Sequence, residues 1–267
     1  MEKCVVLGAS GFIGFELVCK LMEKYCVTAV ITSDTNDCDE SREEKIFAVG
    51  RNANVKFIDI SDFQHGNEEY KLLFNCHLID KNQTKRDETN NIIDYFDHFN
   101  FDHIKEIIWL IDKKKINNNI QKLIHEYMEE IGKKGTIIQI PDVYGPWQPV
   151  RHSIHQMIVH DIEQRGNPYE FTLPIKELLY VEDVASAIIS IGEKEFKDEK
   201  YELTSDLSVS LEEGTITNGI EDFIDKLNIN SKRTYSEITP YIIKSPLPLN
   251  EGLAKQKQHI HQFFHLY

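Results

Sequence analysis

Long apolar runs are missing from this chain of 267 residues. The apolar stretches at 27–31 and 107–111 are far shorter than the roughly 20 residues that a membrane helix needs. The first residues also lack a basic region followed by an apolar block, which is the form of a secretory signal peptide. These absences predict a cytoplasmic protein with no membrane partner.

Basic charge is scarce as well. The chain has 30 Lys and Arg residues against 44 Asp and Glu residues, which gives a formal net charge of -14. Such a balance repels polyanions and argues against a nucleic-acid partner. With 41% hydrophobic and 28% charged residues, the composition is typical of a globular protein of one large domain or two joined ones.

Cysteine is present at five positions but never as a C-x-x-C pair, so neither a disulfide framework nor a cysteine zinc site is indicated. We expect reduced thiols that pack as small apolar side chains. His152, His155 and His160 lie close together, yet beyond Asp161 nothing completes a ligand set at a recognisable spacing. No metal site is predicted.

The first part of the chain alternates short β-branched runs with helical periodicity, which indicates βα repeats and a parallel sheet. The predicted strands are 5–7, 27–32, 55–58, 72–76, 106–111 and 136–140, and the predicted helices are 12–24, 91–99 and 117–132. After a cluster of proline and glycine at 141–149, the pattern predicts a helix at 153–165, a strand followed by a helix at 178–191, and a strand at 201–204.

This order predicts an α/β fold of the Rossmann type, with a doubly wound parallel sheet and a smaller, less regular region. We expect a dinucleotide-binding domain made of 1–145 and 176–204. A smaller substrate-binding domain would comprise 146–175 and 205–267. No flexible linker separates the two, so we expect them to be packed together.

A glycine-rich turn joins the first predicted strand to the first predicted helix. Gly8 permits a tight turn, Gly11 lets a pyrophosphate approach the backbone, and Gly14 lets the helix pack closely on its strand. Free N–H groups at the helix start then face the anion. The turn predicts cofactor contacts from Gly8, Ser10, Gly11, Phe12, Ile13 and Gly14.

Further segments agree with this turn along nearly the whole chain. They are V-K-F-I-D-I-S-D at 55–62, D-V-Y-G-P at 142–146, Y-V-E-D-V-A at 180–185, Y-E-L-T-S at 201–205 and L-N-E-G-L at 249–253. Together they resemble the extended branch of the short-chain dehydrogenase/reductase superfamily, the nucleotide-sugar epimerases and dehydratases. The resemblance implies an NAD or NADP cofactor, a nucleotide-sugar ligand and oxidoreductase chemistry.

The resemblance also implies positions for individual side chains. On the cofactor side it places Thr32 and Ser33 at the end of the second strand, Asp59 and Ile60 against adenine, and His77 beside the nicotinamide. On the substrate side it places Asp142, Val143, Tyr144 and Tyr180. Arg151 adds a guanidinium fork suited to a diphosphate.

The choice between the two dinucleotides depends on the end of the second strand. An Asp or Glu there binds the ribose 2′-hydroxyl, whereas an Arg accommodates a 2′-phosphate. Ile31, Thr32, Ser33 and Asp34 give neither signal, but the acidic residues at 37–40 would repel a 2′-phosphate. The sequence therefore favours NAD.

The catalytic motif of the resembled family is absent. That family uses a Tyr as general acid/base and a Lys four residues later, which lowers the pKa of the Tyr. None of the eleven tyrosines here has a Lys at that spacing, and the expected position reads W-L-I-D-K-K-K-I-N at 109–117. Lys113 or Lys115 is a candidate for the ribose contact and His77 for proton exchange. A solvated basic helix start capped by Asp112, and a structural histidine, are the alternatives.

Three functions remain open at this point. The chain is an atypical nucleotide-sugar enzyme with displaced catalytic groups, a non-catalytic protein that senses a dinucleotide or sugar nucleotide, or a scaffold that binds nothing. The intact glycines disfavour the third, and the empty Tyr and Lys positions favour the second over the first. The helices predicted at 90–99 and 117–132 are also those through which extended members pair, so a homodimer is a further expectation.

Overall fold

The structure is a computed structural model. It describes residues 1–32, 39–63, 68–80, 101–116, 118–163, 169–170, 175–194, 199–210, 215–216, 224–225, 228–230 and 238–266. The helix predicted at 91–99, as well as Ser33, Asp34 and Cys38, lies outside these residues.

The predicted strands and the helices predicted at 12–24, 117–132, 153–165 and within 178–191 are present in the expected order, together with helices and short strands that the sequence patterns did not predict. The strands are β1 (Lys3–Leu7), β2 (Cys26–Ile31), β3 (Val55–Asp59), β4 (Tyr70–Asn75), β5 (Ile104–Asp112), β6 (Lys134–Ile140), β7 (Asp142–Tyr144), β8 (Tyr169–Glu170), β9 (Leu178–Tyr180), β10 (Lys200–Ser205), β11 (Ser208–Ser210), β12 (Thr215–Ile216), β13 (Asn228–Asn230) and β14 (Thr239–Ile243). The helices are α1 (Phe12–Leu21), α2 (Asp39–Val49), α3 (Ile60–Phe63), α4 (His77–Asp80), α5 (Asn118–Glu130), α6 (Ser153–Ile162), α7 (Val181–Gly192) and α8 (Leu249–Gln262), followed by a 3-10 turn at Phe264–Leu266.

Eight strands form one sheet in the order β3-β2-β1-β4-β5-β6-β10-β14. The pairs β2 with β3, β1 with β2, β1 with β4 and β4 with β5 all run parallel. Because the chain adds β2 and β3 on one side of β1 and β4 on the other, the strand order reverses at β1. Ligands of such sheets bind outside the carboxyl ends of the strands at this reversal. The predicted doubly wound α/β fold is confirmed.

The chain divides into two compact units, one formed by Met1–Gln139 with Ile188–Tyr201 and the other by Ile140–Ala187 with Glu202–Tyr267. The predicted division at 145 and 176 stays a prediction. None of the helices in the described ranges is long and apolar enough to span a bilayer.

Burial of β-branched and aromatic side chains on both faces of β1, β4 and β5 holds the first unit together. Positions 4–7 of β1 are fully buried, which is the continuous apolar run expected of a central parallel strand. On one face Trp109 packs edge-on against Tyr127 of α5 and donates its indole N–H to the sulfur of Met128 at 3.3 Å. On the other face Gly192 of α7 lies so close that a Cβ would stand 2.7 Å from Ile108 Cδ1.

The four cysteines that the structure describes in the first unit are at least partly buried, as expected of thiols that pack as apolar side chains. Cys4 and Cys76 are buried, Cys19 and Cys26 are half-buried, and all four are free. Burial raises the pKa of Cys4 and of Cys19 to about 12, so both stay protonated at neutral pH. Because the thiolate is the reactive form, these two side chains are packing residues.

The second unit has its own core between α6, α8 and the short strands β7 and β9. Two buried glutamines form hydrogen bonds inside this core. Gln148 Nε2 donates to the Val143 carbonyl at 2.7 Å, and Gln148 Oε1 accepts from Gln256 Nε2 at 2.6 Å. His155 of α6 is 1% exposed, and burial lowers its pKa to about 4. His155 is therefore neutral in the folded chain at neutral pH.

We expect this histidine to make the second unit sensitive to acid. Unfolding raises the pKa of His155 to its ordinary value near 6.5, so the unfolded chain binds an extra proton between pH 6.5 and pH 4. The free energy of unfolding is therefore unaffected by protonation of His155 above pH 6.5. It falls by about 3 kcal/mol in total as the pH is lowered from 6.5 to 4. Denaturant unfolding of the chain and of His155→Gln across this range measures the difference.

The variant should lose less stability than the parent between pH 6.5 and pH 4. His261→Gln, which removes an exposed histidine from α8 of the same unit, serves as the control and should follow the parent. Equal pH dependence of the parent and His155→Gln would show that His155 is not the responsible group.

Candidate functional site

The turn between β1 and α1 is held in place by backbone hydrogen bonds. The amides of Gly8 and Ala9 both donate to the Val30 carbonyl of β2 at 3.0 Å, and the Gly11 amide donates to the Gly8 carbonyl at 3.0 Å. The glycine-rich segment is therefore fixed before any ligand arrives, at the point where the strand order reverses.

Two of its glycines are required by geometry. Gly8 has a φ of 80°, which other residues rarely adopt. A Cβ on Gly14 would lie 2.1 Å from the Gly8 carbonyl oxygen, so no other side chain fits there unless the backbone moves. The first turn of α1 consequently sits directly against the end of β1.

The amino end of α1 offers donors and no competing negative charge. Gly11 supplies no side-chain cap, and no acidic residue lies in the first turn. The first amides of an α-helix have no acceptor within the helix, and the helix dipole places a partial positive charge there. Phe12, Ile13 and Gly14 carry these amides, so the turn fits the pyrophosphate of a dinucleotide.

A buried lysine behind the same turn was not anticipated from the sequence. Lys45 of α2 is fully buried, and its ammonium donates to the Ser10 carbonyl at 2.7 Å. Its signal in the sequence is the spacing of Ser41, Lys45 and Val49, which form the buried stripe of α2. An apolar residue would be expected at the middle of such a stripe.

The other predicted cofactor contacts surround the carboxyl ends of the strands. Thr32 is buried after β2, Asp59 ends β3 with its side chain exposed, and half-buried Ile60 begins α3. His77 is 5% exposed and begins α4, and its backbone nitrogen lies 3.2 Å from the position of a Cβ on Gly8. His77 thus lies beside the glycine turn, with its amide donating to Asn75 Oδ1 at 3.2 Å.

Lys113 and Lys115 lie in a turn after β5, and α5 begins only at Asn118. Asp112 shapes that turn, since its carboxylate accepts from the Lys114 amide at 2.8 Å and its carbonyl accepts from the Lys115 amide at 2.9 Å. The Lys115 ammonium lies 3.9 Å from the Asp112 carboxylate. Both candidate lysines are half-buried and follow the carboxyl end of β5.

The tyrosines described in the first unit do not join the residues around the glycine turn. Tyr70 is the first residue of β4 and Tyr25 precedes β2, so both lie at the amino ends of parallel strands, away from the glycine turn. The Tyr70 hydroxyl accepts a hydrogen bond from Thr28, and the Tyr25 hydroxyl donates one to Glu193. Tyr127 packs in the core, and the Tyr201 hydroxyl donates to Glu199. Among the described tyrosines of this unit, Tyr25 and Tyr70 thus lie at the opposite edge of the sheet from the glycine turn, and Tyr127 is 4% exposed.

The predicted substrate residues are in the second unit. Asp142, Val143 and Tyr144 form β7, which pairs in parallel with β9 so that Tyr144 lies beside Tyr180. The two rings meet at 5.4 Å and each is 2% exposed. Burial, with a smaller effect from Asp183, raises the pKa of Tyr144, so its hydroxyl is a poor base. Arg151 is half-buried, just ahead of α6.

Charged groups surround this pair of rings. The Tyr180 hydroxyl donates to Glu182 at 3.0 Å, and the Lys255 ammonium lies 3.3 Å from the same carboxylate and 5.4 Å from the centre of the Tyr180 ring. Gly252 of α8 is held against Tyr144, since a Cβ there would stand 2.4 Å from the hydroxyl. No group of three metal-ligating side chains occurs within the parts of the chain that the structure covers.

The sequence matches no family model and no curated protein. Solved structures do match it. UDP-glucuronic acid 4-epimerase from Bacillus cereus, in complex with UDP-glucuronic acid and NAD, superposes with a TM-score of 0.68 at 16% identity, over 98% of this chain and 99% of that one. UDP-N-acetylglucosamine 4-epimerase from Methanobrevibacter ruminantium, in complex with UDP-N-acetylmuramic acid, gives 0.60 at 14% identity, over 98% and 99%.

A third match is dTDP-glucose 4,6-dehydratase from Bacillus anthracis in complex with NAD, with a TM-score of 0.66 at 14% identity, over 100% of this chain and 99% of that one. At these identities the comparison establishes the fold. The resemblance predicted from the sequence motifs is confirmed at that level. The chain has the Rossmann-type fold of the NAD-dependent nucleotide-sugar epimerases and dehydratases.

Proposed function

We propose that this protein binds an NAD-type dinucleotide through the turn at Gly8–Gly14 and works as a binding protein that senses this ligand or a sugar nucleotide. The observation that carries the proposal is the amino end of α1, which packs on the Gly8 carbonyl through Gly14 and has neither a side-chain cap nor an acidic residue in its first turn. Structures with this fold have been solved with NAD, which supports the choice of dinucleotide.

The second ligand proposed is a nucleotide sugar, held by the second unit. Structures of this fold bind UDP-glucuronic acid and UDP-N-acetylmuramic acid. A diphosphate needs cations, and Arg151 is the proposed partner because a guanidinium binds phosphate oxygens with two parallel hydrogen bonds. The buried rings of Tyr144 and Tyr180 then support the backbone of β7 and β9.

A sensing role is preferred over turnover because none of the tyrosines in the sequence has a Lys four residues later to lower its pKa for proton transfer. A bound nicotinamide would supply hydride chemistry, but the sugar hydroxyl would still need a base at the carboxyl edge of the sheet. Tyr25 and Tyr70 lie at the amino ends of their strands, Tyr127 is buried in the core, and the hydroxyl of Tyr201 donates to Glu199. Occupancy of the site would then act by shifting the population of conformations.

A catalytic role through His77 is the second candidate. The observation that supports it is that the backbone nitrogen of His77 lies against Gly8, just after the carboxyl end of β4. Imidazole exchanges protons near neutral pH, so His77 is the described side chain best suited to replace the missing Tyr. An enzyme that uses His77 for proton transfer would need no Y-x-x-x-K motif.

Dinucleotide binding is testable through tryptophan fluorescence. Leu7, Asn75 and Trp109 are neighbours in register across β1, β4 and β5, which places Trp109 roughly 10 Å from the end of β1. We expect NADH to quench Trp109 and to show sensitised nicotinamide emission, with saturation at micromolar concentration and weaker binding of NADPH. The chain has two tryptophans, so Trp147→Phe isolates the Trp109 signal. No saturable signal from either dinucleotide up to millimolar concentration would contradict the proposal.

The glycine contact makes its own prediction. Gly14→Ala places a Cβ against backbone, so we expect a loss of stability on the order of 3 kcal/mol and at least tenfold weaker NADH binding. Gly132→Asn is the matched control, because its φ of 64° suits Asn and a Cβ there meets no atom within 4 Å. Denaturant unfolding and the same titration measure both effects. Unchanged NADH affinity in Gly14→Ala would show that the turn is not part of the binding site.

The sensing role predicts no turnover of a sugar nucleotide. Incubation of the protein with NAD and UDP-glucuronic acid should give no C4 epimer by chromatography and no reduced nicotinamide by absorbance. Product formation that disappears in His77→Gln, while NADH still binds, would replace the sensing role with the catalytic one.

A further inference from the structure

Lys45 is the one fully buried lysine among the described residues, and nothing in the proposed function uses it. Lysine is almost never fully buried unless it is paired, because its ammonium loses favourable hydration. Here it occupies the centre of the buried stripe of α2, between Ser41 and Val49. Such a position needs a reason beyond packing.

The contact of Lys45 supplies the reason. Its ammonium donates to the Ser10 carbonyl at 2.7 Å, and the next amide, that of Gly11, donates to the Gly8 carbonyl at 3.0 Å. The Ser10–Gly11 peptide is thus held at both of its ends. It is the peptide that leads into the first turn of α1.

Two physical effects follow for an anion at this turn. A carbonyl oxygen facing a phosphate repels it, and the hydrogen bond to Lys45 keeps the Ser10 oxygen directed toward α2. The ammonium also adds a full positive charge behind the helix end, in surroundings where charges are weakly screened. The partial charge of a helix terminus alone is about half an elementary charge.

We propose that Lys45 is a positioning residue of the glycine turn, which orients the Ser10 carbonyl and supplies the buried positive charge that favours a phosphate-bearing dinucleotide. The inference rests on the proposed dinucleotide function and adds its main charged determinant. The shared chemistry is a phosphate group. The source of that phosphate is either the pyrophosphate common to NADH and NADPH or the 2′-phosphate of NADPH.

Two variants separate charge from hydrogen bonding. Lys45→Met removes both, and Lys45→Gln removes the charge but keeps a donor for the Ser10 carbonyl. Lys24→Met is the control, because Lys24 is exposed just beyond the far end of α1 and the same charge is lost. Calorimetric titration with NADH and NADPH, and displacement of NADH by adenosine, give the affinities. Thermal unfolding without ligand reports on folding.

We expect Lys45→Met and Lys45→Gln to bind NADH at least about tenfold more weakly than the parent and Lys24→Met, with the affinity for adenosine unchanged. Equal losses for NADH and NADPH assign the effect to the pyrophosphate. A larger loss for NADPH assigns it to the 2′-phosphate. Replacement of a buried charge by an apolar side chain often leaves stability unchanged or raises it, so the unfolding temperature should not fall.

The inference is overturned if both variants bind NADH like the parent, or if adenosine loses affinity by the same factor as NADH. Should Lys45→Met fail to fold, Lys45→Gln decides alone. A parent chain that binds neither dinucleotide would instead contradict the proposed function, so the two failures are distinguishable.

Discussion

The contact between the first turn of α1 and the carbonyl of Gly8 is the constraint on which the site depends. It is possible only because position 14 has no side chain, and it fixes the direction of α1 relative to β1. The first amides of α1, which have no acceptor within the helix, then lie at the carboxyl edge of the sheet, where the strand order reverses at β1. Lys45 and His77 both lie against this turn, Lys45 through the Ser10 carbonyl and His77 through the backbone of Gly8.

The chemistry of the site follows from what surrounds the carboxyl edge of the sheet. Hydride transfer from a sugar hydroxyl needs a base, and a Tyr serves as one near neutral pH only where a nearby cation lowers its pKa. In this chain cations remain after β5, as Lys113 and Lys115, but Tyr25 and Tyr70 lie at the amino ends of their strands. The features proposed to bind a phosphate, which are Gly8, Gly14 and the first amides of α1, are therefore separate from the tyrosine that turnover would require.

Sequence patterns predicted the central strands, α1 and the turn because each has a strong local signal. β-branched runs mark β1 and β5, and three glycines between a strand and a helix are typical of a phosphate-binding turn. The helix α2 was not predicted, because its sequence D-E-S-R-E-E-K is polar and its buried stripe contains Ser41 and Lys45. That stripe is defined by tertiary contacts, which local periodicity does not reveal.

Side chains at the candidate site were predicted less well than the backbone. The position of His77 beside Gly8 comes from the pairing of β1 with β4, a contact about seventy residues apart in sequence. The burial of Tyr144 and Tyr180 against each other likewise depends on the parallel pairing of β7 with β9. Resemblance located these residues near a ligand, but only packing shows that the rings belong to the core.

The most direct measurement of the central claim is the amide NMR spectrum of the isotopically labelled chain with and without NADH. Hydrogen bonds to a phosphate would shift the amide signals of Phe12, Ile13 and Gly14 more than those elsewhere in the chain. Saturating NADH that leaves these three signals in place would contradict the account, because a ligand bound elsewhere does not use the amino end of α1.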